Sequence, residues 1–401
     1  MKQIAVLENT IQEYAWGSSS FIPQLMGSQK ESENPQAELW MGAHPKAPSR
    51  VLFNKEKLSM ADLIRDFPEA ILGTTISEKF SNRLPFLFKV LAAAKPLSIQ
   101  AHPNRLQAEE GYDLENKKDI SLDSPDRNYR DRNHKPELIC ALEPLSALKG
   151  FRCVQEIHHK FSMIKNLPND LNLDILMSQA TSEGLKEFFI SLMNLSTDQK
   201  KEMIGTITEF GKQFEETDPV FHWINILNRD YTDDIGVLSP MFLNLIKLQP
   251  GEALFIPAGE LHAYLDGAGI ELMANSDNVL RGGLTQKHID IPELSKILNF
   301  SEGNTEILKA NYNENGEGLY PVMAEEFELS VISLKKELPF QSSLNRSIEI
   351  MICTNGVAYI YDTAKGDPIK LSSGVSIMVP ADLKQYRIQG EATIYRASVP
   401  I

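Results

Sequence analysis

The stretch LPFLFKVLAAAKPLSIQAHP, residues 84–103, decides the fold prediction for this chain. It reads as two apolar strands that are broken at Lys95-Pro96, and a further apolar run, residues 138–142, follows a charged loop. Gln100 and His102 lie two residues apart on the second strand, so both side chains project from the same face. The region therefore predicts a β domain whose inner face carries two groups able to bind a metal.

A helical pattern replaces the strand pattern between residues 154 and 234. Apolar residues recur there at three- and four-residue intervals, and Ser196 with Gln199 resembles a capping box at the start of a helix. The segment predicts an all-helical insertion. Strand character returns from Met241 to Leu248 and continues through Ala274.

The C-terminal part, from about Glu325, alternates strands with turns and predicts a second all-β unit, with a hairpin turn at Asn355-Gly356. The segment GEALFIPA, residues 251–258, is echoed by GVSIMVPA, residues 374–381. Either Gly and Pro merely bound a short strand in each case, or the β unit is duplicated. We favour duplication, because the strands match in length and apolar pattern.

The composition restricts the classes of partner. The chain has 401 residues and a net charge of −14, which would repel nucleic acid and anionic membrane surfaces. Three cysteines without CxxC spacing make no disulfide framework. The N-terminus resembles no signal peptide, and no apolar run is long enough to span a bilayer. We expect a soluble, cytoplasmic protein, monomeric, with a small-molecule partner and neither nucleic acid nor membrane contacts.

Four residues form a candidate metal site. Gln100 and His102 share a strand face, Glu137 follows Pro136 at the start of an apolar run, and His262 opens a strand after a Pro-x-Gly turn. Two imidazoles, one carboxylate and one amide suit zinc with an open position, although iron and manganese stay open. The segment around His262 resembles the second motif of the cupin barrels. The corresponding position of the second β unit holds Gln385, so we expect that unit to lack a metal.

Six segments together resemble the type I mannose-6-phosphate isomerases, also called phosphomannose isomerases. They are YAWGS (14–18), AELWMGAHP (37–45), PLSIQAHP (96–103), NHKPE (133–137), IPAG (256–259) and NVLRGGLT (278–285). Gln286 departs from the family, which commonly has proline at this position.

The resemblance implies a mainly β protein with a helical insertion, that is, a cupin-like (jelly-roll) double β-barrel with an all-helical domain. It implies a discontinuous catalytic domain over 1–153 and 235–320, a helical domain over 154–234, and a metal-free, cupin-like β domain over 321–401. It also implies one zinc ion per chain on Gln100, His102, Glu137 and His262, and a place in carbohydrate metabolism and GDP-mannose biosynthesis.

The implied reaction interconverts mannose 6-phosphate and fructose 6-phosphate through an enediol, which needs a proton carrier and stabilisation of a developing oxyanion. Arg281 and Lys135 are expected to flank the enediolate, with Glu271 or His134 as the proton carrier. The expected substrate contacts are Ser98, Lys89 and Lys287 at the phosphate, Trp16 and Tyr264 as walls, and Asp277.

Each assignment has a simpler alternative. Arg281 can pair with Asp277, Lys135 can be solvated, and Glu271 can face water from a strand edge. Among functions, an iron-dependent oxygenase is the enzymatic alternative, and a non-catalytic sugar-binding or regulatory bicupin is the alternative from another class. Conversion of mannose 6-phosphate to fructose 6-phosphate separates the isomerase from both.

Overall fold

The computed structural model describes residues 3–53, 56–165, 167, 171, 173–178, 182–362 and 367–401. These residues form two large antiparallel β units together with helices, and strands and helices are numbered here along the chain. None of the described helices combines the length and the apolar character needed to cross a bilayer. The helices are α1 (Phe21–Leu25), α2 (Met60–Asp66), α3 (Pro68–Leu72), α4 (Thr74–Lys79), α5 (Arg105–Lys117), α6 (Val154–Ser162), α7 (Asp174–Ser178), α8 (Ser182–Met193), α9 (Thr197–Gly211), α10 (Pro219–Asp230), α11 (Ser239–Phe242) and α12 (Ile291–Ile297).

The first β unit is organised around one long strand, β12, which pairs with four others. Its C-terminal half pairs with β6 and β8, and its N-terminal half pairs with β7 and β9. The strands of this unit are β2 (Thr10–Gln12), β3 (Glu38–Met41), β6 (Phe86–Ala93), β7 (Ile99–Ala101), β8 (Glu137–Ala141), β9 (Leu145–Phe151), β10 (Leu243–Leu248), β11 (Glu252–Ile256), β12 (His262–Ala274), β13 (Leu280–Gly283) and β14 (Leu308–Lys309).

The second β unit contains strands from both ends of the chain. Ala5 pairs with Met378, so the N-terminal strand extends a sheet built mainly from the C-terminal part. The strands are β1 (Ala5–Glu8), β4 (Arg50–Phe53), β5 (Glu56–Ser59), β15 (Asn311–Tyr312), β16 (Glu317–Leu319), β17 (Glu328–Leu334), β18 (Phe340–Gln341), β19 (Glu349–Asp362), β20 (Ile369–Ser372), β21 (Ser376–Val379) and β22 (Tyr386–Ser398).

The predicted domain limits stay a prediction, and the second β unit includes strands from segments on both sides of those limits. Strands β1, β4 and β5 lie within the segment predicted for the catalytic domain, yet they hydrogen-bond into the second β unit. Sheet membership then changes between Lys309 and Asn311, about ten residues before the predicted division at 320.

The predicted hairpin at Asn355-Gly356 is wrong. Strand β19 runs through these residues and pairs with β22 along its length, with a register shift between Cys353 and Asn355. Gly356 has a φ of +81°, and a Cβ there would lie 2.1 Å from the carbonyl oxygen of Glu391. An Asn-Gly pair signals positive φ, which a β-bulge satisfies as well as a turn does.

The helical segment contains α6 to α10, and the capping box of Ser196 and Gln199 is confirmed at the start of α9. The predicted start of the returning strand is wrong by two residues, since Met241 lies in α11 and β10 begins at Leu243. Helix α5 was not predicted from the sequence. Its buried face consists of small residues and Glu115, so it shows no apolar stripe.

The central strands of the first β unit separate two layers of the core. Ile139 and Tyr264 belong to the cluster that fills the interior of this unit. Leu138 and Leu272 face the opposite way, into a larger cluster shared with the second β unit. This alternation decides which polar residues of β6, β8 and β12 enter the interior.

Candidate metal centre

The pairing register of β7 and β12 places two predicted ligands, Gln100 and His262, on one face of the sheet. Gln100 lies opposite His262 in the β7–β12 pair and opposite Arg281 in the β7–β13 pair. Residues directly opposite each other in an antiparallel pair project to the same side. The amide, the imidazole and the guanidinium therefore enter the interior together, and His102 follows two residues after Gln100.

A β-bulge in β12 adds Glu271 to this face. His262 and Glu271 are nine residues apart, so a regular strand would point them to opposite sides. The register shift between Tyr264 and Asp266 reverses the alternation, and Asp266 is exposed. Beyond the bulge, Glu271 lies opposite Lys89 and is only 3% exposed. The alternative in which Glu271 faces water from a strand edge is therefore wrong.

The candidate metal-binding cluster consists of His102, Glu137 and His262, all buried, whose potential ligand atoms lie within 4.8 Å of one another. The Nε2 atom of His102 lies 3.2 Å from Glu137 Oε1, and that of His262 lies 3.3 Å from Glu137 Oε2. Among the residues that the structure describes, neither Nε2 atom has a hydrogen-bond partner. The β8–β12 register, which places Glu137 opposite Met273, holds the carboxylate on the inner face.

Hydrogen bonds define the tautomer of both histidines. His102 Nδ1 lies 2.8 Å from the carbonyl oxygen of Asn278, and His262 Nδ1 lies 3.0 Å from that of Glu260. Because a carbonyl only accepts, each Nδ1 donates and each neutral ring presents a lone pair at Nε2. Burial, reinforced by the charge of Lys135, lowers the pKa of His102 to about 4, so its ring is neutral at pH 7.

The arrangement suits a bound metal cation. Two imidazole lone pairs face one carboxylate, and although burial opposes ionisation, the charge of Lys135 holds the pKa of Glu137 well below its ordinary value. Three potential ligand atoms converge on one point. With Gln100 added from the same face, the set matches zinc in a cysteine-free site with a remaining position for water or substrate.

A second polar network lies on the same inner face. Lys89 Nζ is 2.7 Å from Glu271 Oε2 and 3.3 Å from Glu38 Oε1, and all three side chains are buried. Burial opposes the charge of Lys89, but the two carboxylates raise its pKa above the ordinary value. Burial, with the nearby charges of Glu137 and Glu38, raises the pKa of Glu271.

Glu38 is a further member of this network that was not predicted from the sequence. Trp40 Nε1 donates to Glu38 Oε2 at 2.8 Å, which orients the carboxylate toward Lys89. The available signal was the spacing, because Glu38 and Trp40 alternate on one short strand that pairs with β6. The hydroxyl of Tyr264 is also buried beside this network, and burial with the charge of Glu271 raises its pKa.

Three cations lie together at the far end of β13. Burial, and then the charge of Arg130, lowers the pKa of Arg281. The charge of Arg281, followed by burial, lowers the pKa of Lys287. Arg130 was not predicted, since it lies in a polar loop with several basic residues. Its backbone N–H donates to Asn278 Oδ1 at 2.6 Å, which places it beside the metal-binding strands.

Three other predicted site residues, Lys135, Asp277 and His134, each contact a charged neighbour. Lys135 is 8% exposed and lies 2.9 Å from Glu137 Oε1, so the solvated alternative is wrong. Asp277 pairs with Lys46 at 2.8 Å and His44 at 3.5 Å rather than with Arg281. The His134 ring contacts Glu326, a residue just before β17, at 2.7 Å.

Ser98 and Trp16 are half-buried. Ser98 directly precedes β7 in line with Gln100, and Trp16 packs against the apolar cluster of the interior. Their roles toward a substrate stay predictions.

Comparison with known proteins supports one family. Residues 4–154 match the family model described as phosphomannose isomerase type I, catalytic domain. The chain is 37% identical to mannose-6-phosphate isomerase of Escherichia coli (strain K12), over 97% of this chain and 98% of that protein. It is 35% identical to the human protein of the same name, over 75% and 74%.

Solved structures agree. A zinc-bound crystal structure of mannose 6-phosphate isomerase has a TM-score of 0.92 and 35% identity, covering 99% of this chain and all of that chain, 100%. A variant of phosphomannose isomerase from Salmonella typhimurium aligns with the same TM-score of 0.92 at 35% identity, covering 99% of this chain and 100% of that chain. The inward-facing histidines and carboxylate described above lie within this shared fold, and the chain belongs to the type I phosphomannose isomerase family.

Proposed function

We propose that the protein is a zinc-dependent aldose-ketose isomerase that interconverts mannose 6-phosphate and fructose 6-phosphate through an enediol intermediate. The observation that carries the proposal is the convergence of His102, Glu137 and His262 on the inner face that also holds the buried Lys89–Glu271 pair. A metal centre beside a buried, charge-paired carboxylate suits proton transfer next to a carbonyl group.

The metal site is assigned to Gln100, His102, Glu137 and His262. Zinc, when bound there, supplies Lewis acidity that stabilises negative charge developing on the substrate oxygens. The protein residues orient the ligands: the carbonyl groups of Asn278 and Glu260 hold the two imidazoles, and Lys135 holds the carboxylate.

Proton transfer between the two adjacent carbons is assigned to Glu271. Its pKa is raised above the ordinary value, and it faces the interior, as a base that must both take and return a proton requires. Lys89 keeps the carboxylate in place. His134, the other predicted carrier, makes its described ring contacts with Arg105 and the second β unit.

The phosphate of the substrate is assigned to the cationic end of the site. Burial and the charge of Arg130 lower the pKa of Arg281, and the charge of Arg281, followed by burial and Arg130, lowers that of Lys287. A bound anion relieves this repulsion between cations. Lys89 was predicted as a phosphate contact, but it is already paired with two carboxylates. We therefore propose that Lys89 orients Glu271 and does not bind the phosphate. Arg281 additionally stabilises the enediolate, together with Lys135.

The fold class proposed is a cupin-like (jelly-roll) double β-barrel with a helical domain. An apolar cluster that includes Tyr386 fills the interior of the second β unit, and the buried carboxylate beside it, Glu349, is paired with Arg346 and Arg396. These occupied surroundings support the proposal that this unit holds no metal. The three cysteines are unpaired, in keeping with a reducing cytoplasm, and we further propose a monomer whose product serves GDP-mannose biosynthesis.

The test is a coupled assay of fructose 6-phosphate formed from mannose 6-phosphate, run with zinc-loaded protein and after treatment with a chelator. The expected result is turnover by the loaded protein, its loss on chelation, and recovery on zinc addition. Binding of the sugar phosphate without turnover would instead support the non-catalytic, sugar-binding alternative.

A further inference from the structure

Glu326 reaches from the second β unit into the loop that carries the metal ligand Glu137. It lies two residues before β17 and is 4% exposed. Its Oε1 atom is 2.7 Å from His134 Nε2 and 2.8 Å from Arg105 Nη2. This carboxylate therefore joins a residue of the second β unit to helix α5 and to the segment Asn133–Glu137 of the first β unit.

The contacts define the proton positions. A carboxylate only accepts, so the 2.7 Å contact requires a proton on His134 Nε2. In the other tautomer, Nε2 would accept from Arg105 at 3.2 Å while its lone pair faced a carboxylate oxygen. Burial raises the pKa of Glu326, but the hydrogen bond from His134 and the charge of Arg105 outweigh burial and hold it below its ordinary value. Glu326 is thus ionised at pH 7.

The loop is held by different units at different points. The carbonyl oxygen of Asn133 accepts from Asn278 Nδ2 at 2.9 Å, and that of Pro136 accepts from the backbone N–H of Ala274 at 3.0 Å. These bonds fix the backbone to the first β unit. Between them, the His134 imidazole is fixed by Glu326, one residue before Lys135.

We propose that Glu326 is a positioning residue for the isomerase reaction, holding His134 in one tautomer and orientation and, through it, the loop that presents Lys135 to the site. The proposal rests on the proposed function. It gives the second β unit, which has no described metal cluster of its own among the residues the structure places, a direct part in arranging the site of the first unit.

The principal test compares Glu326→Gln with Glu325→Gln. Glutamine keeps the shape and one acceptor oxygen of Glu326 but removes its charge. We expect kcat to fall about tenfold, the lower end of the range seen when an outer-shell orienting partner is removed, with KM and zinc content within about twofold of wild type. Glu325 is the matched control, because its side chain is 71% exposed and pairs with Lys79 at the surface, and its variant should keep wild-type kcat.

A double-mutant cycle separates positioning from general stabilisation. If Glu326 acts through His134, adding Glu326→Gln to His134→Ala should change kcat by less than about twofold, since the shared interaction is already lost. Multiplicative losses in the double variant would overturn the proposal. A Glu326→Gln variant with a lower melting temperature and unchanged kcat would overturn it as well, because the contact would then be structural only.

Glu326→Asp covers the case in which the glutamine variant does not fold. Aspartate keeps the charge on a shorter side chain, so kcat should fall by between about twofold and about tenfold relative to wild type, and without further loss in the His134→Ala background. A wild-type kcat in the aspartate variant would contradict the proposal, because it would show that the reach of the Glu326 side chain to His134 does not matter. Absence of mannose 6-phosphate turnover in the wild type would refute the proposed function instead.

Discussion

Replacing Lys89 by methionine tests the buried charge network, because it removes the cation and leaves Glu38 and Glu271 facing each other. The two contacts of 2.7 and 3.3 Å correspond to gross attractions of about 6 and about 5 kcal/mol at an effective dielectric constant of about 20. Desolvation of the charges offsets most of this. Breaking a buried pair by removing one partner costs about 3–5 kcal/mol, which is the loss of unfolding free energy we expect at pH 7.5.

The loss should depend on pH in a definite direction. Without Lys89, the folded-state pKa of Glu271, already raised by burial, rises further above its unfolded value. The folded variant then binds more protons than the unfolded chain, so its stability falls as pH rises through the folded pKa and recovers as pH falls toward the unfolded value. The variant should therefore be closer to wild type at pH 5.5 than at pH 7.5.

Urea denaturation of the zinc-loaded proteins at the two pH values measures this effect. Lys57→Met is the matched control, because it removes a lysine from an exposed ion pair with Glu8 and should leave the denaturation midpoint unchanged at both pH values. The Lys89 variant should also lose kcat. The reasoning is refuted if its destabilisation equals that of the control or is the same at pH 5.5 and pH 7.5.

Three further predictions concern the metal, the arginine and the bulge. Purified wild type should contain about one equivalent of zinc by elemental analysis, His262→Ala should lose both metal and activity, and Gln385→Ala should keep both; zinc retained in the His262 variant would contradict the ligand assignment. Arg281→Ala should lower kcat by on the order of 100-fold in steady-state assays, whereas a raised KM with preserved kcat would restrict Arg281 to phosphate binding. Gly356→Ala should destabilise the protein by roughly 1–3 kcal/mol in urea denaturation, since its Cβ would lie 2.1 Å from a carbonyl oxygen at positive φ. Gly205→Ala, in helix α9 with nothing within 4 Å of the added Cβ, should instead stabilise it, and equal effects at the two glycines would contradict the bulge.

Local patterns allowed much of the fold to be predicted from the sequence. Strand alternation predicted Gln100 and His102 on one face, and helical spacing located α6, α8 and α9 in the segment 154–234, whereas α7 and α10 were not located individually. The capping box at Ser196 was also readable, because its atoms belong to residues three positions apart. The hairpin prediction at Asn355-Gly356 failed because positive φ occurs in both turns and bulges, and only the pairing of β19 with β22 distinguishes the two.

What the sequence by itself determined is the short-range part of the candidate site: Gln100 on β7 with His102 just beyond it, the carboxylate at the start of β8, the histidine that opens β12, and the family to which the segments point. Tertiary structure alone decided which charges meet. A bulge at Leu265 turned Glu271 inward, Asp277 paired with His44 and Lys46 instead of Arg281, and Glu326 reached His134 across 192 residues of sequence. The physical reason is range: side-chain direction along a strand follows from neighbouring residues, whereas an ion pair depends on the register and burial of segments far apart in the chain.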